Sequence, residues 1–167
     1  MKRLYLIRHA KSSWSEPGLD DFHRPLNNRG KNDGVTMAKR LAAAGIRPDL
    51  VVASPAVRAK QTARLMAEGT GYEPDAIQYD KNLYLGSLSY HCSLLPALFQ
   101  EVEELFLVGH NQTISELAEY LCGQTLGNVP TSGIVAIEYP GEKGFSRAAG
   151  CGQLAFFWFP KDQQHSQ

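Results

Sequence analysis

The length, composition and charge of the chain fit one ordinary folded domain. Its 167 residues can bury a core without disulfides, and the 43% hydrophobic and 20% charged residues exclude a disordered or fibrous protein. Seventeen basic residues balance seventeen acidic ones, so the chain lacks the broad positive charge of a nucleic-acid binder and any anion site must be local.

The cysteines and the apolar runs predict where the protein works. Cys92, Cys122 and Cys151 are odd in number and widely spaced, which fits neither a disulfide framework nor a paired zinc or redox motif. The apolar runs are too short for a signal-peptide core or a bilayer span. We therefore predict a cytoplasmic protein that is neither secreted nor bound to a membrane.

The first half of the chain alternates strand and helix patterns. Residues 4–7 and residues 50–54 are short apolar runs that suit strands buried on both faces. Between these runs, helical spacing predicts a buried helix face composed of Val35, Ala38, Leu41 and Ala42. A second helix is expected to begin near Ser54 and Pro55, with Arg58 in its first turns.

The second half continues the alternation and ends in a hairpin. Helical spacing predicts a buried face composed of His91, Leu94, Leu95, Leu98 and Val102. Residues 105–108 then suit a third buried strand. A further helix, which Gly123 ends, is predicted to bury Ile114, Leu117, Ala118, Leu121 and Cys122. Residues 134–139 and 154–159 lie on either side of a glycine-rich region and suit a hairpin at a sheet edge.

These elements predict an α/β fold, a three-layer α/β/α sandwich around a mixed, mainly parallel central sheet. Few residues lie outside the elements, so we expect only a minimal cap over the sheet edge. Residues 1–160 are predicted to form a single domain, and residues 161–167 a frayed tail. The sequence makes no prediction of oligomeric state.

Two histidines and two arginines follow predicted strand ends. Arg8 and His9 end the first strand, His110 follows the third buried strand, and Arg58 comes soon after the second. The carboxyl ends of parallel strands meet at one sheet edge, where α/β folds bind ligands. We therefore expect the four side chains to converge. Each residue alone fits a structural role better, whereas their convergence fits a functional site as well as it fits a structural role.

The four side chains suit a phosphoryl group. Two guanidinium groups match its oxygens and stabilise the charge that spreads over them during transfer. A neutral imidazole can attack phosphorus and hold it covalently, while the second histidine donates a hydrogen bond to an oxygen. Coulomb repulsion from the arginines opposes a metal ion here, so we expect no metal. We also expect no organic cofactor. Asp20, Asp21 and His23 fit a solvated polar loop better than a metal site.

Several motifs resemble the histidine phosphatase superfamily, whose founding members are the cofactor-dependent phosphoglycerate mutases. The general motifs are Arg8-His9-Ala10, Ser54-Pro55 with Arg58-Ala59 and Gln61-Thr62-Ala63, and Gly109-His110-Asn111. Three further motifs are similar to SixA-type phosphohistidine phosphatases: Lys11-Ser12 with Trp14, Asp21 with Arg24-Pro25-Leu26, and Pro130-Thr131-Ser132-Gly133. The resemblance extends from Met1 to about Phe159.

The resemblance implies a role for each of the four converging residues. His9 would be the nucleophile, and Arg8, Arg58 and His110 would form the phosphate pocket. The implied substrate class is a protein that carries phosphohistidine. We also expect a set of polar residues near these motifs to contact the substrate: Lys11, Ser12, Asp21, Arg24 and Asn111.

The sequence departs from the mutases at the general acid. In the mutases and many phosphomonoesterases of this superfamily a Glu or Asp follows the third strand, but residues 83–86 here read Leu-Tyr-Leu-Gly. SixA-type members likewise lack this acid, so the gap favours a phosphohistidine phosphatase over a mutase. Asp21 could donate a proton instead, although a loop carboxylate near arginines is expected to be an ionised ion-pair partner.

Two alternatives stay open on the sequence alone. A small-molecule phosphomonoesterase of the same superfamily would use the same pocket on a small phosphorylated metabolite. A binding module would hold phosphorylated ligands without turnover, since pocket residues do not by themselves establish hydrolysis. The expected partner is accordingly a phosphorylated protein or a small phosphorylated metabolite.

Overall fold

The computed structural model describes residues 1–164 and places a six-stranded sheet between two pairs of helices. The strands are β1 (Lys2–Arg8), β2 (Leu50–Ala53), β3 (Gln78–Tyr79), β4 (Glu104–Gly109), β5 (Ile134–Tyr139) and β6 (Gln153–Trp158). The helices are α1 (Asn28–Ala43), α2 (Val57–Thr70), α3 (Leu88–Leu98) and α4 (Thr113–Cys122). Short 3-10 turns lie at Asp21–His23, Pro74–Ala76, Lys81–Leu83 and Pro160–Gln164.

The strand order brings the predicted strand ends to one edge. The order is β3-β2-β4-β1-β5-β6, in which the first four strands are mutually parallel, β5 pairs antiparallel with β1, and β6 pairs antiparallel with β5. Arg8 pairs with Gly109, and Ala53 pairs with Val108, so β1, β4 and β2 end side by side. The predicted mixed, mainly parallel sheet with an antiparallel edge hairpin is confirmed.

Alternation along β1 builds the three layers. Leu4 and Leu6 lie in one buried cluster with Leu117 of α4, whereas Tyr5 and Ile7 lie in the other cluster. The second cluster also contains buried residues of α1 and α2, namely Met37, Ala38, Leu41, Ala59, Ala63, Met66 and Ala67. Because successive strand residues point to opposite faces, the central strands are apolar on both faces and helices cover each one.

The buried face of α1 differs from the predicted one. Val35 is 40% exposed, and the buried positions are instead Gly30, Gly34, Met37, Ala38 and Leu41. The reason is the close approach of α2, since a Cβ atom at Gly34 would lie 2.7 Å from the Leu65 side chain. An apolar-residue pattern does not mark glycine as a packing residue, so the predicted face was wrong there.

The end of the chain also differs from the prediction. Pro160–Gln164 forms a 3-10 turn instead of a frayed segment. The Asp162 carboxylate accepts a hydrogen bond from the Phe159 backbone N–H at 2.9 Å and pairs with Arg40 at 2.7 Å. These contacts correct the predicted frayed tail for residues 161–164, and residues 165–167 lie outside the described residues.

The connections that cover the carboxyl edge of the sheet are short. Residues 9–27 join β1 to α1 and contain the Asp21–His23 turn, while residues 80–87 join β3 to α3. These two segments form the expected minimal cap. None of the helices within residues 1–164 is long and apolar enough to cross a membrane.

Candidate active site

Three strand ends bring the four predicted pocket residues together. His9 follows β1, His110 follows β4, and Ser54 follows β2 just before α2 places Arg58 in its first turn. Because β1 and β4 pair in register, the rings of His9 and His110 face each other with centroids 5.2 Å apart. The convergence predicted from the strand ends is therefore present.

His9 has one ring nitrogen fixed and the other available. Nδ1 lies 2.7 Å from the Ala10 carbonyl oxygen, which can only accept, so Nδ1 carries the hydrogen. Nε2 therefore holds a lone pair, and Arg58 Nε donates toward it at 3.4 Å. Burial lowers the pKa of His9 to about 4, and the charges of Arg58 and Arg8 act in the same direction. At neutral pH the ring is uncharged with Nε2 as its acceptor.

His110 is held differently. Its Nε2 lies 2.8 Å from the Ser54 hydroxyl, and its ring packs edge-to-face on Tyr84 with centroids 5.5 Å apart. Within the described residues, Nδ1 of His110 has no hydrogen-bond partner. Burial, followed by the neighbouring His9 and Arg58, lowers the pKa of His110 to about 3. Both histidines are therefore neutral under physiological conditions.

The two arginines supply the positive charge. Arg58 is only 7% exposed, and its Nη1 and Nη2 donate to the backbone oxygen and the carboxylate of Asp21 at 2.7 and 3.0 Å. Arg8 is half-buried and donates from Nη1 to the Val129 carbonyl oxygen at 2.9 Å. Burial lowers the pKa of Arg8 because the charged form is desolvated, without removing its charge near neutrality.

Asp21 is held in the cap by ion pairs and a tyrosine hydroxyl. Its carboxylate accepts hydrogen bonds from Tyr84 Oη at 2.7 Å, Arg24 Nη1 at 2.8 Å and Arg58 Nη2 at 3.0 Å. The Tyr84 hydrogen bond and those from the two arginines lower the pKa of Asp21 to about 2. An acid this strong is fully ionised near neutral pH, so the expected ion-pair role agrees with the geometry.

Within the described residues, the other four predicted substrate contacts form no hydrogen bond or ion pair with the four pocket residues. Arg24 lies under the Trp14 ring, 3.2 Å from its centroid, and donates to the Ser12 hydroxyl, so both residues shape the loop that carries Asp21. Lys11 is exposed beside this loop. Asn111 donates to the Asn128 side chain and accepts from the Ser115 hydroxyl at 2.6 Å, which ties the start of α4 to the segment before β5.

Two residues that contact the pocket, Tyr84 and Ser132, lie in stretches noted in the sequence but were not predicted as site residues. Tyr84 joins the two cap segments, because its hydroxyl bonds Asp21 and its ring contacts both His110 and Phe22. Ser132 adopts a positive φ of 64° and donates its backbone N–H to the His9 carbonyl oxygen at 3.2 Å. Tyr84 lies in residues 83–86, where the mutases carry their acid. A hydroxyl-bearing side chain at this place in the sequence could have indicated a residue of the pocket.

The arrangement suits a dianionic phosphoryl group. The neutral Nε2 of His9 has a lone pair and lies beside the buried guanidinium of Arg58. Arg8, which directly precedes His9, supplies a second guanidinium. Preorganised positive groups of this kind stabilise charge on phosphoryl oxygens without rearrangement. In the part of the chain that the structure describes, no three His, Cys, Asp or Glu side chains converge as a metal site.

Comparison with known proteins agrees with this geometry. Residues 4–84 match the family described as histidine phosphatase superfamily (branch 1). A solved structure described as the putative phosphohistidine phosphatase SixA from Agrobacterium tumefaciens is 32% identical to the chain. That match covers 94% of this chain and 97% of the other, with a TM-score of 0.79. The chain therefore belongs to the histidine phosphatase superfamily.

Within the superfamily the chain is similar to SixA-type members. The structure of the protein histidine phosphatase SixA complexed with tungstate covers 96% of this chain and 99% of its own, with a TM-score of 0.83. Its 23% identity shows the shared fold alone. An uncharacterized chloroplastic protein of Arabidopsis thaliana is 29% identical over 133 residues, which cover 75% of this chain. The match spans 61% of that relative's length.

Proposed function

We propose that this member of the phosphatase superfamily hydrolyses phosphohistidine, or another phosphate with a good leaving group, through a phosphoryl group carried on His9. The observation that carries the proposal is the state of the His9 ring. Nδ1 is fixed by the Ala10 carbonyl oxygen, and the neutral Nε2 lies 3.4 Å from Arg58 Nε. A nucleophile needs this lone pair and this orientation.

In the first step Nε2 of His9 attacks phosphorus. The N–P bond forms while the bond from phosphorus to the leaving atom breaks, and its electron pair goes to the leaving group. Arg8, Arg58 and His110 would bind the phosphoryl oxygens as charge builds on them. Arg58 would exchange its contact with the Asp21 carboxylate for a contact with the phosphoryl group.

In the second step water attacks phosphorus of the phosphorylated His9. The N–P bond breaks, its electron pair returns to Nε2, and the water proton stays with the released inorganic phosphate. The hydrogen bond from Nδ1 to the Ala10 carbonyl oxygen keeps the ring oriented through both steps. No metal ion or organic cofactor takes part in this proposal.

Within the described residues, the carboxylic acid at the pocket is Asp21, whose lowered pKa leaves it ionised near neutral pH, and this restricts the leaving group. Tyr84 occupies the stretch where mutases carry a carboxylic acid, and the pKa of Asp21 is lowered to about 2. An alkoxide needs a proton as it leaves, and positioned proton transfer is typically worth about 10²- to 10⁴-fold. Phosphohistidine can leave as a neutral imidazole that is already protonated on its other nitrogen. This chemistry favours phosphohistidine as the substrate. A cytoplasmic place of action remains a prediction from the unpaired cysteine pattern and the short apolar runs of the sequence.

The test is a comparison of leaving groups. We expect kcat/KM for a phosphohistidine peptide and for aryl phosphates to exceed that for alkyl phosphates by about 10²-fold or more. Across a series of aryl phosphates, the rate of forming phosphorylated enzyme should fall steeply as the pKa of the leaving group rises. Efficient cleavage of an alkyl phosphate with a flat dependence would instead favour a phosphomonoesterase that has a general acid. Binding without phosphate release from any compound would favour the binding module.

A further inference from the structure

Beside the phosphate pocket, a polar cavity lies at the carboxyl ends of the strands, the same edge of the sheet at which His9 lies. Its volume is about 360 Å³, and its polar lining is Lys11, Arg29, Asp33, Thr131 and Lys161. We call this cavity the basic cleft. Its lining comes from four parts of the fold: the segment after β1, the first turns of α1, the segment before β5 and the turn after β6.

The basic cleft shares backbone with the phosphate pocket. Lys11 is two residues after His9, so their Cα atoms are at most about 7 Å apart. On the opposite side, Thr131 precedes Ser132, whose backbone N–H donates to the His9 carbonyl oxygen at 3.2 Å. Only a few residues of backbone therefore separate the basic cleft from His9, and none of the four pocket residues lines the cleft itself.

The charges of the basic cleft do not cancel. Three cationic side chains face one carboxylate, and Asp33 lies 3.6 Å from Arg29 Nε, within salt-bridge range. Within residues 1–164, Lys11 and Lys161 form no ion pair. Because the whole chain has no net charge, this local excess is a specific feature and not part of a general basic surface.

Contacts within the fold hold two walls of the basic cleft in place. The Arg40–Asp162 ion pair, at 2.7 Å, and the Phe159 N–H fix the turn that presents Lys161. On the other wall, Gly30 packs directly on the Lys11 backbone, and a Cβ atom there would collide with the Lys11 carbonyl oxygen. A preformed site loses less conformational entropy when it binds its ligand.

We propose that the basic cleft binds a second anionic group of the substrate, a carboxylate or phosphate carried close to the phosphoryl group. The inference rests on the proposed function, since it places the phosphoryl group at His9. The anion is an acidic side chain next to phosphohistidine in a protein, or an acidic group on a small phosphate ester. Lys11, Arg29 and Lys161 would supply charge, and the Thr131 hydroxyl would supply a hydrogen bond.

The experiment measures a ratio that cancels effects on the chemical step. Two phosphohistidine peptides differ only in flanking Glu or Gln residues, and kcat/KM for the acidic peptide is divided by that for the neutral one. A small-molecule pair, 3-carboxyphenyl phosphate and phenyl phosphate, gives a second kcat/KM ratio. The two leaving groups differ in pKa, and the dependence measured with the aryl phosphate series is used to correct the ratio for that difference. The peptide pair tests a protein source of the anion, and the ester pair tests a metabolite source.

We expect at least one of the two kcat/KM ratios, acidic over neutral substrate, to be about 3 to 10 at low salt. This is the scale of a few exposed ion pairs. The double variant Arg29→Gln with Lys161→Gln should bring that ratio close to one, and Asp33→Asn should raise it. Lys143→Gln is the matched control, because Lys143 is exposed in the β5–β6 connection at the opposite edge of the sheet. Added salt should reduce the wild-type ratio through screening.

Two failures are distinguishable. If phenyl phosphate is hydrolysed but both ratios stay near one, or the double variant leaves them unchanged, the basic cleft does not bind a substrate anion and the proposal is overturned. If no phosphate compound is hydrolysed, the proposed function fails. The basic cleft is then tested by equilibrium binding of acidic and neutral peptides that carry a non-hydrolysable phosphonate. Tighter binding of the acidic peptide would support anion binding in the cleft, and equal affinities would overturn it.

Discussion

The strand-end part of the pocket and the cap part are held by different forces. His9 and His110 are placed by the parallel register of β1 and β4, and the backbone N–H of His9 donates to the Gly109 carbonyl oxygen at 3.0 Å. Asp21, by contrast, lies in a short turn and is held by side chains, chiefly Arg58 and Tyr84. The sheet therefore fixes the reacting groups, while the cap supplies a carboxylate that a substrate can displace.

Among the variants compared, those that remove a charge or a hydrogen-bond donor near the strand ends should lower kcat/KM the most. Arg58→Ala and His110→Ala are each expected to lower kcat/KM for an aryl phosphate by roughly 10²- to 10³-fold, the scale of one preorganised donor. His23→Ala is the matched control, since His23 is exposed in the cap turn and bonds Asp20. Losses below 10-fold in Arg58→Ala and His110→Ala would show that the two residues do not stabilise the transferring group.

The strand-end histidines should also make stability depend on pH. Their folded pKa values, about 4 for His9 and about 3 for His110, lie below the ordinary value of 6.5, so the unfolded chain binds protons first. The stability is complete above pH 6.5 and is lost as the pH falls toward 4 for His9 and toward 3 for His110, by up to about 1.4 kcal/mol per pH unit for each histidine.

Chemical denaturation at several pH values checks this prediction. The His9→Asn variant should show a shallower loss of the free energy of unfolding between pH 6.5 and 4, because asparagine does not titrate. Equal slopes in the two proteins would contradict the desolvated state of His9.

The cap part should respond more weakly. Asp21→Asn is expected to change the rates for good and poor leaving groups by the same factor, because an ionised carboxylate donates no proton. The variant should also bind inorganic phosphate a few-fold more tightly, since one negative charge near Arg58 is removed. Asp20→Asn is the control, and a selective loss on poor leaving groups in Asp21→Asn would identify Asp21 as a general acid.

Chelation should have no effect at all. The arginines already supply the positive charge that a divalent cation would bring to the phosphoryl oxygens. The rate with an aryl phosphate in the presence of a strong chelator should equal the rate without it. Loss of activity that one particular metal ion restores would contradict this expectation and direct attention to Asp20, Asp21 and His23.

The same division between sheet and cap explains what the sequence could predict. The apolar runs of β1, β2 and β4 identify buried strands, and Gly123, with a φ of 67°, ends α4 as expected. Strand ends then predict the meeting of His9 with His110. The two-residue strand β3 is too short to produce a pattern, and its residues are exposed.

The remaining site features depend on contacts between distant segments. The Tyr84 hydroxyl meets Asp21 across 63 positions of sequence, and Ser132 meets the His9 backbone through a turn with positive φ. The basic cleft combines α1 with the turn after β6. Residue spacing gives no information on such pairs, so they become visible only in the folded chain.

The central claim is that His9 carries the phosphoryl group, and rapid quenching with isotopically labelled substrate tests it most directly. Labelled phosphate should appear on the protein as an acid-labile, alkali-stable adduct that maps to His9 and forms at least as fast as turnover. His9→Asn should form no adduct and show no turnover, while His23→Asn should retain both. Normal hydrolysis by the His9→Asn protein, or an adduct that maps to another residue, would contradict the account.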